Sequence, residues 1–566
     1  MPGAPKIYLK NQQNEVRFKV KKARKKLYQH RVVIVFSAVC IMFAVLLLRI
    51  AVIQNSSAAS AAAEQSERKI SVGTTRGAIY DRNYRLLVNT EKENNVAVLS
   101  CKKTENTLAA LGLGTDEAAV EGLVIIKKHD NTEKDSALVK NIETYKRYSE
   151  NQLCTHIIGY VDFESRGVCG IEKAFDAILS DAAGEAWIKY SVDARGRTIT
   201  GDGIEVGYDN YFSKAGVVLT LDRDIQEIVQ QAIKNSEIVC GGAVVLSAKT
   251  GEILAMASYP EYDVRDISAS LYDENLPFLN RCLCAYPVGS VFKPFVVAAA
   301  LKNGVDITGE YNCKGYYTAG EQIFRCFNGK EHGAELLRDA ICNSCNAYFI
   351  DLGVRIGKEK LEELCNDFGF GKSIELCPYL CSDAGNLPHS DSIISEAQLA
   401  NLCFGQGELL LTPLQLAAAY SALANGGEYT EPYILKELAD KTGRAYAYYK
   451  PENSRRVLDE KSCDKINECL FANMLEGTGV NGAPGNSSAC GKTATAQTGK
   501  YSADGTEQLC TWFAGFFPYE SPEYTVVVFN EKGSTASQDC APVFSDISQK
   551  ITALRDAQKE SSLRAE

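Results

Sequence analysis

Histidine is scarce. His30, His129, His156, His332 and His389 are the only five in 566 residues, and none stands in an H-E-x-x-H. No G-x-S-x-G occurs, and no two C-x-x-C sets stand at metal-site spacing. These absences exclude a zinc-peptidase helix and the nucleophile elbow of an α/β-hydrolase. They leave no expected metal ligand, no expected cofactor and no role for an isolated histidine. Proline is also sparse, and no Pro-rich linker, internal repeat or appended binding module interrupts the chain.

Long apolar runs are lacking except for one. Val32 to Leu48 is apolar throughout but for Ser37, and Ile50 to Ile53 extends it past Arg49. About 20 apolar residues span a bilayer, so residues 32–53 are expected to form a transmembrane anchor. A cleaved signal peptide is the competing reading, since residues 57–63 offer small-residue cleavage sites, but signal cores are shorter, about 7–15 residues. The first 31 residues hold ten Lys/Arg and one Glu. Beside an apolar span, that basic tail points to a cytoplasmic N-terminus with the bulk outside, and not to nucleic acid.

Cysteine, by contrast, is plentiful at 20. An exported chain would normally pair them. Here they are scattered singly, many within apolar runs such as Leu402-Cys403-Phe404, so they are expected to pack as small apolar residues, as suits a reducing habitat. Cys313 and Cys326 flank a loop and are the first pair to test for bridging.

Chemistry concentrates in three places. Ser290-Val-Phe-Lys293 precedes an apolar stretch that ends at Asn303-Gly304, so Ser290 should open a helix with Lys293 on the same face. A serine needs a base, and a lysine serves if burial and the positive end of the helix dipole disfavour its charge. Ser344-Cys345-Asn346 follows 54 residues after Ser290, and Lys492-Thr493-Ala494-Thr495 a further 148 residues after Ser344. The order S-x-x-K, S-x-N, K-T-x-T resembles the penicillin-recognising serine acyltransferases. Further stretches are similar to class B penicillin-binding proteins: Gly241 to Pro260, Gly405-Gln-Gly407 with Thr412-Pro-Leu-Gln-Leu-Ala417, Trp512 to Phe516, Arg76 to Arg82, His156 to Tyr160 and Gly170-Ile-Glu172.

The resemblance implies an α+β penicillin-binding/transpeptidase fold, an antiparallel sheet covered by helices with a helical subdomain, preceded by an elongated pedestal and one transmembrane helix. The expected layout is a basic tail (1–31), the anchor (32–53), a pedestal (54–212), the transpeptidase domain (213–556) and a loose charged tail (557–566). Arg76, Asp81, Arg82, Glu172 and Arg195 are expected members of a pedestal salt-bridge core, with solvated charges as the other reading. The implied activity is peptidoglycan D,D-transpeptidation. Ser290 is the nucleophile, Lys293 its base, and Ser344 and Asn346 relay the proton and orient the donor. Lys492 supplies positive potential, while Thr493 and Thr495 hold the substrate carboxylate. β-Lactams would acylate the same serine. Glycan strands would come from a multi-spanning polymerase, the expected partner besides the membrane.

Ala494 departs from the family's usual Lys-Thr-Gly. On a strand its methyl should point away from Thr493 and Thr495, towards the side of Lys492. Lys249-Thr-Gly251 and Lys441-Thr-Gly443 are read as hairpin turns. A poorly acylated scaffold or antibiotic sensor, and a serine β-lactamase, are the alternative functions; no E-x-x-L-N string supports the latter.

Overall fold

The computed structural model describes residues 5–56, 64–99, 101, 103, 104, 106, 107, 123–128, 135–451, 454–501 and 505–565. The small-residue stalk at residues 57–63 lies outside them. They fall into two compact units. One comprises residues 1–72, 94–142 and 187–207, and the other residues 73–93, 143–186 and 208–566.

The smaller unit contains α1 (Pro5–Gln54), which joins the basic tail and the apolar run in one helix. From Asn14 to Gln54 it is long and apolar enough to cross a membrane, and its side chains are unburied. Leu123–Lys128 pairs antiparallel with Glu91–Leu99.

In the larger unit, five strands form an antiparallel sheet: β1 (Gly241–Ser247), β2 (Ile253–Tyr259), β3 (Cys490–Tyr501), β4 (Glu507–Phe517) and β5 (Tyr524–Gly533), in the order β2-β1-β5-β4-β3. Strand side chains alternate between faces, and here both faces are covered, so the strands read as nearly continuous apolar runs. Val245, Val526, Val528 and Phe513 pack with Val229 of α2 (Arg223–Lys234) and with Phe544 and Ile547 of the C-terminal helix. Val244, Leu246, Val527 and Trp512 pack with the opposite core, which includes α3 (Lys293–Lys302). Lys249–Gly251 and Lys441–Gly443 both sit in hairpin turns.

Residues 73–93 and 143–186, grouped with the pedestal by sequence, belong to the larger unit. Ala78–Tyr80 pairs in parallel with Gly216–Leu219, a contact between segments far apart in sequence. Around it lies a buried ionic network. Glu172 accepts from Arg76 (2.9 Å), Arg147 (2.7 Å) and the Tyr148 hydroxyl (3.0 Å). Asp81, Arg85 and Asp222 extend a second cluster, and Arg82 pairs with Glu252 at 3.0 Å. Arg195 is no member of either. It is exposed, and its backbone N–H closes a local turn onto Asp193.

Two expectations at the helix ends are corrected. The last helix runs Ala536–Ala565 rather than ending near Asp556, so residues 557–565 are helical, supported by the Glu560–Arg564 pair one turn apart. Ser290 does not open an α-helix, because Gly289–Phe292 is a 3₁₀ turn and α3 begins at Lys293.

Glu172 is fully buried between two guanidinium groups. Glu172→Ala leaves Arg147 without a carboxylate partner and Arg76 with Asp176 alone, and is expected to destabilise the larger unit by about 3–5 kcal/mol. Differential scanning calorimetry should show a clear drop in unfolding temperature; an unchanged transition refutes the role given to this network.

Candidate active site

The 3₁₀ turn that carries Ser290 is wedged between three elements. Gly289 N–H donates to Gly405 O at 2.7 Å. A side chain on Gly405 would strike Gly289 O at 2.0 Å, which explains the glycine in Gly405-Gln-Gly407. Gly289 itself has φ 66°, and an added Cβ would lie 3.2 and 3.3 Å from the methyls of Ala496 and Ala494. Those two methyls therefore face the Ser290 turn. From the opposite side the Tyr420 hydroxyl donates to Val291 O at 2.9 Å. Ser290 is partly exposed at the resulting edge.

Lys293 is fully buried, and its ammonium turns to the second motif. Nζ donates to Ser344 O (2.7 Å), Ser344 Oγ (3.2 Å) and Asn346 Oδ1 (2.8 Å), and it lies 5.4 Å from the Phe349 ring centre. Ser344 can present both oxygens because its backbone is left-handed, φ 52°, in the tight link between α4 (Leu337–Cys342) and α5 (Asn346–Ile356). Asn346 Nδ2 donates to Arg325 O at 3.0 Å, which fixes the orientation of the amide. Burial is the main cause that brings the Lys293 pKa down to about 8, partly opposed by neighbouring Cys345, Cys326 and Glu335.

Lys492 is also fully buried, on β3. Its Nζ donates to Thr478 Oγ1 and Thr493 O, both at 3.1 Å. Burial first, and then the charge of Lys293, push its pKa well below the ordinary lysine value. Thr493 Oγ1 bonds Thr478 Oγ1 at 2.9 Å, and Thr495 Oγ1 accepts from Ala536 N at 3.3 Å. The structure thus joins Lys293 directly to Ser344 and Asn346, and Lys492 to Thr493. Sequence reasoning missed Thr478, which bridges Lys492 and Thr493. A lone threonine between Gly477 and Gly479 carries no chemical signature, and its role exists only once the loop meets β3.

Ala494 is opposite Trp512 on β4 and 2% exposed. Its methyl fills space against the glycine turn.

The cysteines are free, as their scattered spacing suggested, but three of them and one histidine do more than fill space. Every cysteine is unbridged, and Cys313 Sγ stands 3.7 Å from Cys326 Sγ. Cys345 does more than fill the variable position of its motif. It caps α5 by accepting from Tyr348 N at 3.4 Å, and its sulfur lies 3.8 Å from Cys326 Sγ. His332 joins the same group, its Nδ1 3.5 Å from Cys313 Sγ. Chain spacing concealed this set because its members come from four separate segments.

Residues 241–549 match the penicillin binding protein transpeptidase domain. The chain belongs to that family. Its relatives are of class B type. It is 29% identical over 509 residues to stage V sporulation protein D of Bacillus subtilis, covering 84% of this chain and 77% of that one. It is 26% identical to the peptidoglycan D,D-transpeptidase MrdA of Haemophilus influenzae, over 93% and 92% of the two chains. Among solved structures, the D,D-transpeptidase domain of a peptidoglycan glycosyltransferase from Eggerthella lenta aligns with TM-score 0.63 at 22% identity, over 85% of this chain and 99% of that one. Penicillin binding protein 3 of Mycobacterium tuberculosis, solved with ampicillin, aligns with TM-score 0.62 at 24% identity, over 86% and 96%. The fold is the penicillin-binding/transpeptidase fold.

A base works only in its deprotonated form. With a pKa near 8 the Lys293 amine is neutral in a minority of molecules at pH 7 and in most of them above pH 8. The rate of β-lactam acylation should therefore rise about tenfold per pH unit below the midpoint and level off above it. Stopped-flow acylation from pH 6 to 9.5 measures this, and a flat or falling profile sinks Lys293 as the base.

Proposed function

We propose that the chain is a membrane-anchored peptidoglycan D,D-transpeptidase that works through an acyl-enzyme on Ser290. The observation that carries this reading is the burial of Lys293 directly behind the serine turn, held by Ser344 and Asn346 with no carboxylate among its hydrogen-bond partners. Ser290 Oγ attacks the carbonyl carbon of the penultimate D-Ala and passes its proton to Lys293 Nζ. Collapse of the tetrahedral intermediate breaks the C–N bond, and the proton returns through Ser344 to the leaving D-Ala amine. An acceptor amine then attacks the ester and frees Ser290. Backbone N–H groups of Ser290 and Thr495 stabilise the oxyanion, at about 3–4 kcal/mol per donor.

The second lysine gives this sequence a trigger. Lys293 and Lys492 repel each other, so charge on one disfavours charge on the other. A substrate carboxylate held by Thr493 and Thr495 favours charge on Lys492. That charge in turn favours the neutral, basic form of Lys293. Ala494 does not oppose this arrangement, because its methyl packs on the Gly289 side.

α1 would cross the membrane once. Ten Lys/Arg at its start favour a cytoplasmic N-terminus, leaving the pedestal (54–212) and transpeptidase region (213–556) outside. The partner is a multi-spanning glycan polymerase, as the resemblance to class B penicillin-binding proteins implies. Affinity purification of the full chain from its own membranes should recover such a polymerase in comparable amount; recovery no greater than that of bulk membrane protein rejects the partnership.

Fluorescent penicillin should label the wild type rapidly, and Ser290→Ala should remove the signal. Equal labelling of the variant rejects Ser290. Very slow labelling of the wild type favours the scaffold or sensor reading, and rapid turnover of the penicillin favours a β-lactamase.

A further inference from the structure

Cys313, Cys326, His332 and Cys345 bring four metal-binding atoms within 4.8 Å of one another. They arrive from different places. Cys313 ends the strand Tyr311–Cys313, which pairs with Gly333–Glu335 immediately after His332. Cys326 follows the hairpin strand Gln322–Arg325, and Cys345 caps α5. Three cysteines are buried, and the His332 side chain is 5% exposed.

The spacing is that of a tetrahedral centre. With Zn–S of about 2.3 Å and Zn–N of about 2.0–2.1 Å, tetrahedral angles require about 3.8 Å between sulfurs and about 3.6 Å between sulfur and nitrogen. The chain has sulfur pairs at 3.7 and 3.8 Å and a sulfur–nitrogen pair at 3.5 Å. A second observation concerns Glu335, which is 1% exposed, stands 3.7 Å from His332 Nδ1 and leaves its Oε2 without a hydrogen-bond partner. Its Oε1 accepts from Asn343 Nδ2 at 2.9 Å and Lys293 supplies some positive potential, but a buried acceptor left bare on Oε2 gains from further cationic charge beside it. Thiol packing alone explains neither feature, because free cysteines in apolar cores need no convergence on an imidazole and a carboxylate.

We propose that these residues form a Cys₃His structural zinc site. Three thiolates and one imidazole select a soft to borderline ion and fill all four positions, so the metal binds no substrate. Binding displaces three thiol protons, and the ion is neither oxidised nor reduced. Its structural work is clear from the elements it joins. Two small two-stranded sheets with strands of three or four residues are marginal alone, and the ion staples them to the start of α5. Its chemical consequence follows from sequence adjacency: Cys345 sits between Ser344 and Asn346, the two residues that hold Lys293. Zinc thus fixes the turn that positions the base. That consequence rests on the transpeptidase reading; the zinc site does not.

Full-length protein purified in detergent, reduced and without chelator, should carry about one zinc per chain by inductively coupled plasma mass spectrometry. Cys313→Ser and His332→Ala should lose the metal on dialysis against a competing chelator, whereas Cys381→Ser, an exposed cysteine outside the cluster, should retain it. Should the ligand variants fail to fold, Co²⁺ exchange into the wild type decides. Intense sulfur-to-cobalt charge-transfer and tetrahedral d–d bands support the site. Wild type that holds neither zinc nor cobalt after equilibration with the free ion overturns it, as does zinc retention by Cys313→Ser equal to wild type. Removing zinc should also slow β-lactam acylation by about tenfold or more. Loss of zinc without any change in acylation would overturn the coupling to Lys293 while leaving the site itself intact.

Discussion

An ammonium group with no solvent and no carboxylate directly bonded to it is the constraint around which the site is built. The direct hydrogen-bond partners of Lys293 are all neutral oxygens, two from Ser344 and one from Asn346. A buried cation tolerates this only when every acceptor is rigidly placed, since a lost bond leaves a charge in a low-dielectric interior. The geometry around the second motif answers that demand. Ser344 takes a left-handed backbone, Cys345 caps the helix, and Asn346 is anchored to Arg325 O. The same constraint supplies the chemistry, for whatever makes the charge unwelcome makes the amine a base near neutral pH.

The opposite wall of the site obeys a packing constraint. The Ser290 turn is pressed between Gly405 and β3: a Cβ at 405 would strike Gly289 O at 2.0 Å, and one at 289 would crowd the methyls of Ala494 and Ala496. This bears on the departure from Lys-Thr-Gly. A methyl at 494 lies on the face opposite the threonine side chains, shared with Lys492 and directed at Gly289. The change therefore alters packing behind the Ser290 turn and not on the face that carries the Thr493 and Thr495 side chains.

The central sheet and the motif order were legible because they depend on local signals: apolar runs ended by turns, and residue types that chemistry requires at set positions. Lys249-Thr-Gly251 could be told from a catalytic motif because a glycine turn between two apolar runs has a local cause. Other features had no local cause. The pairing of Ala78–Tyr80 with Gly216–Leu219 joins distant segments and decides which unit residues 73–93 enter. Arg195 and Arg76 look alike in sequence, yet only Arg76 meets a buried carboxylate. Thr478 gains its place between Lys492 and Thr493 from a loop closing onto a strand.

The cysteines show the same limit most sharply. Spacing rules find metal sites whose ligands come in local pairs, but here no two of the four ligands share a strand, turn or helix. Twelve buried cysteines outside the cluster fit the reading of small apolar core residues, as Cys365 and Cys403 do in the main core. Cys313, Cys326 and Cys345 belong to that core as well, yet their sulfurs also converge on an imidazole. What separates the two kinds is the direction in which each sulfur points, a property set by three short strands and one helix cap. Residue 345 consequently answers to two masters: the S-x-N motif leaves its identity free, while the cluster requires a sulfur. A serine or alanine there would satisfy the motif and break the cluster, so the cysteine at 345 is explained by the cluster and not by the catalytic pattern.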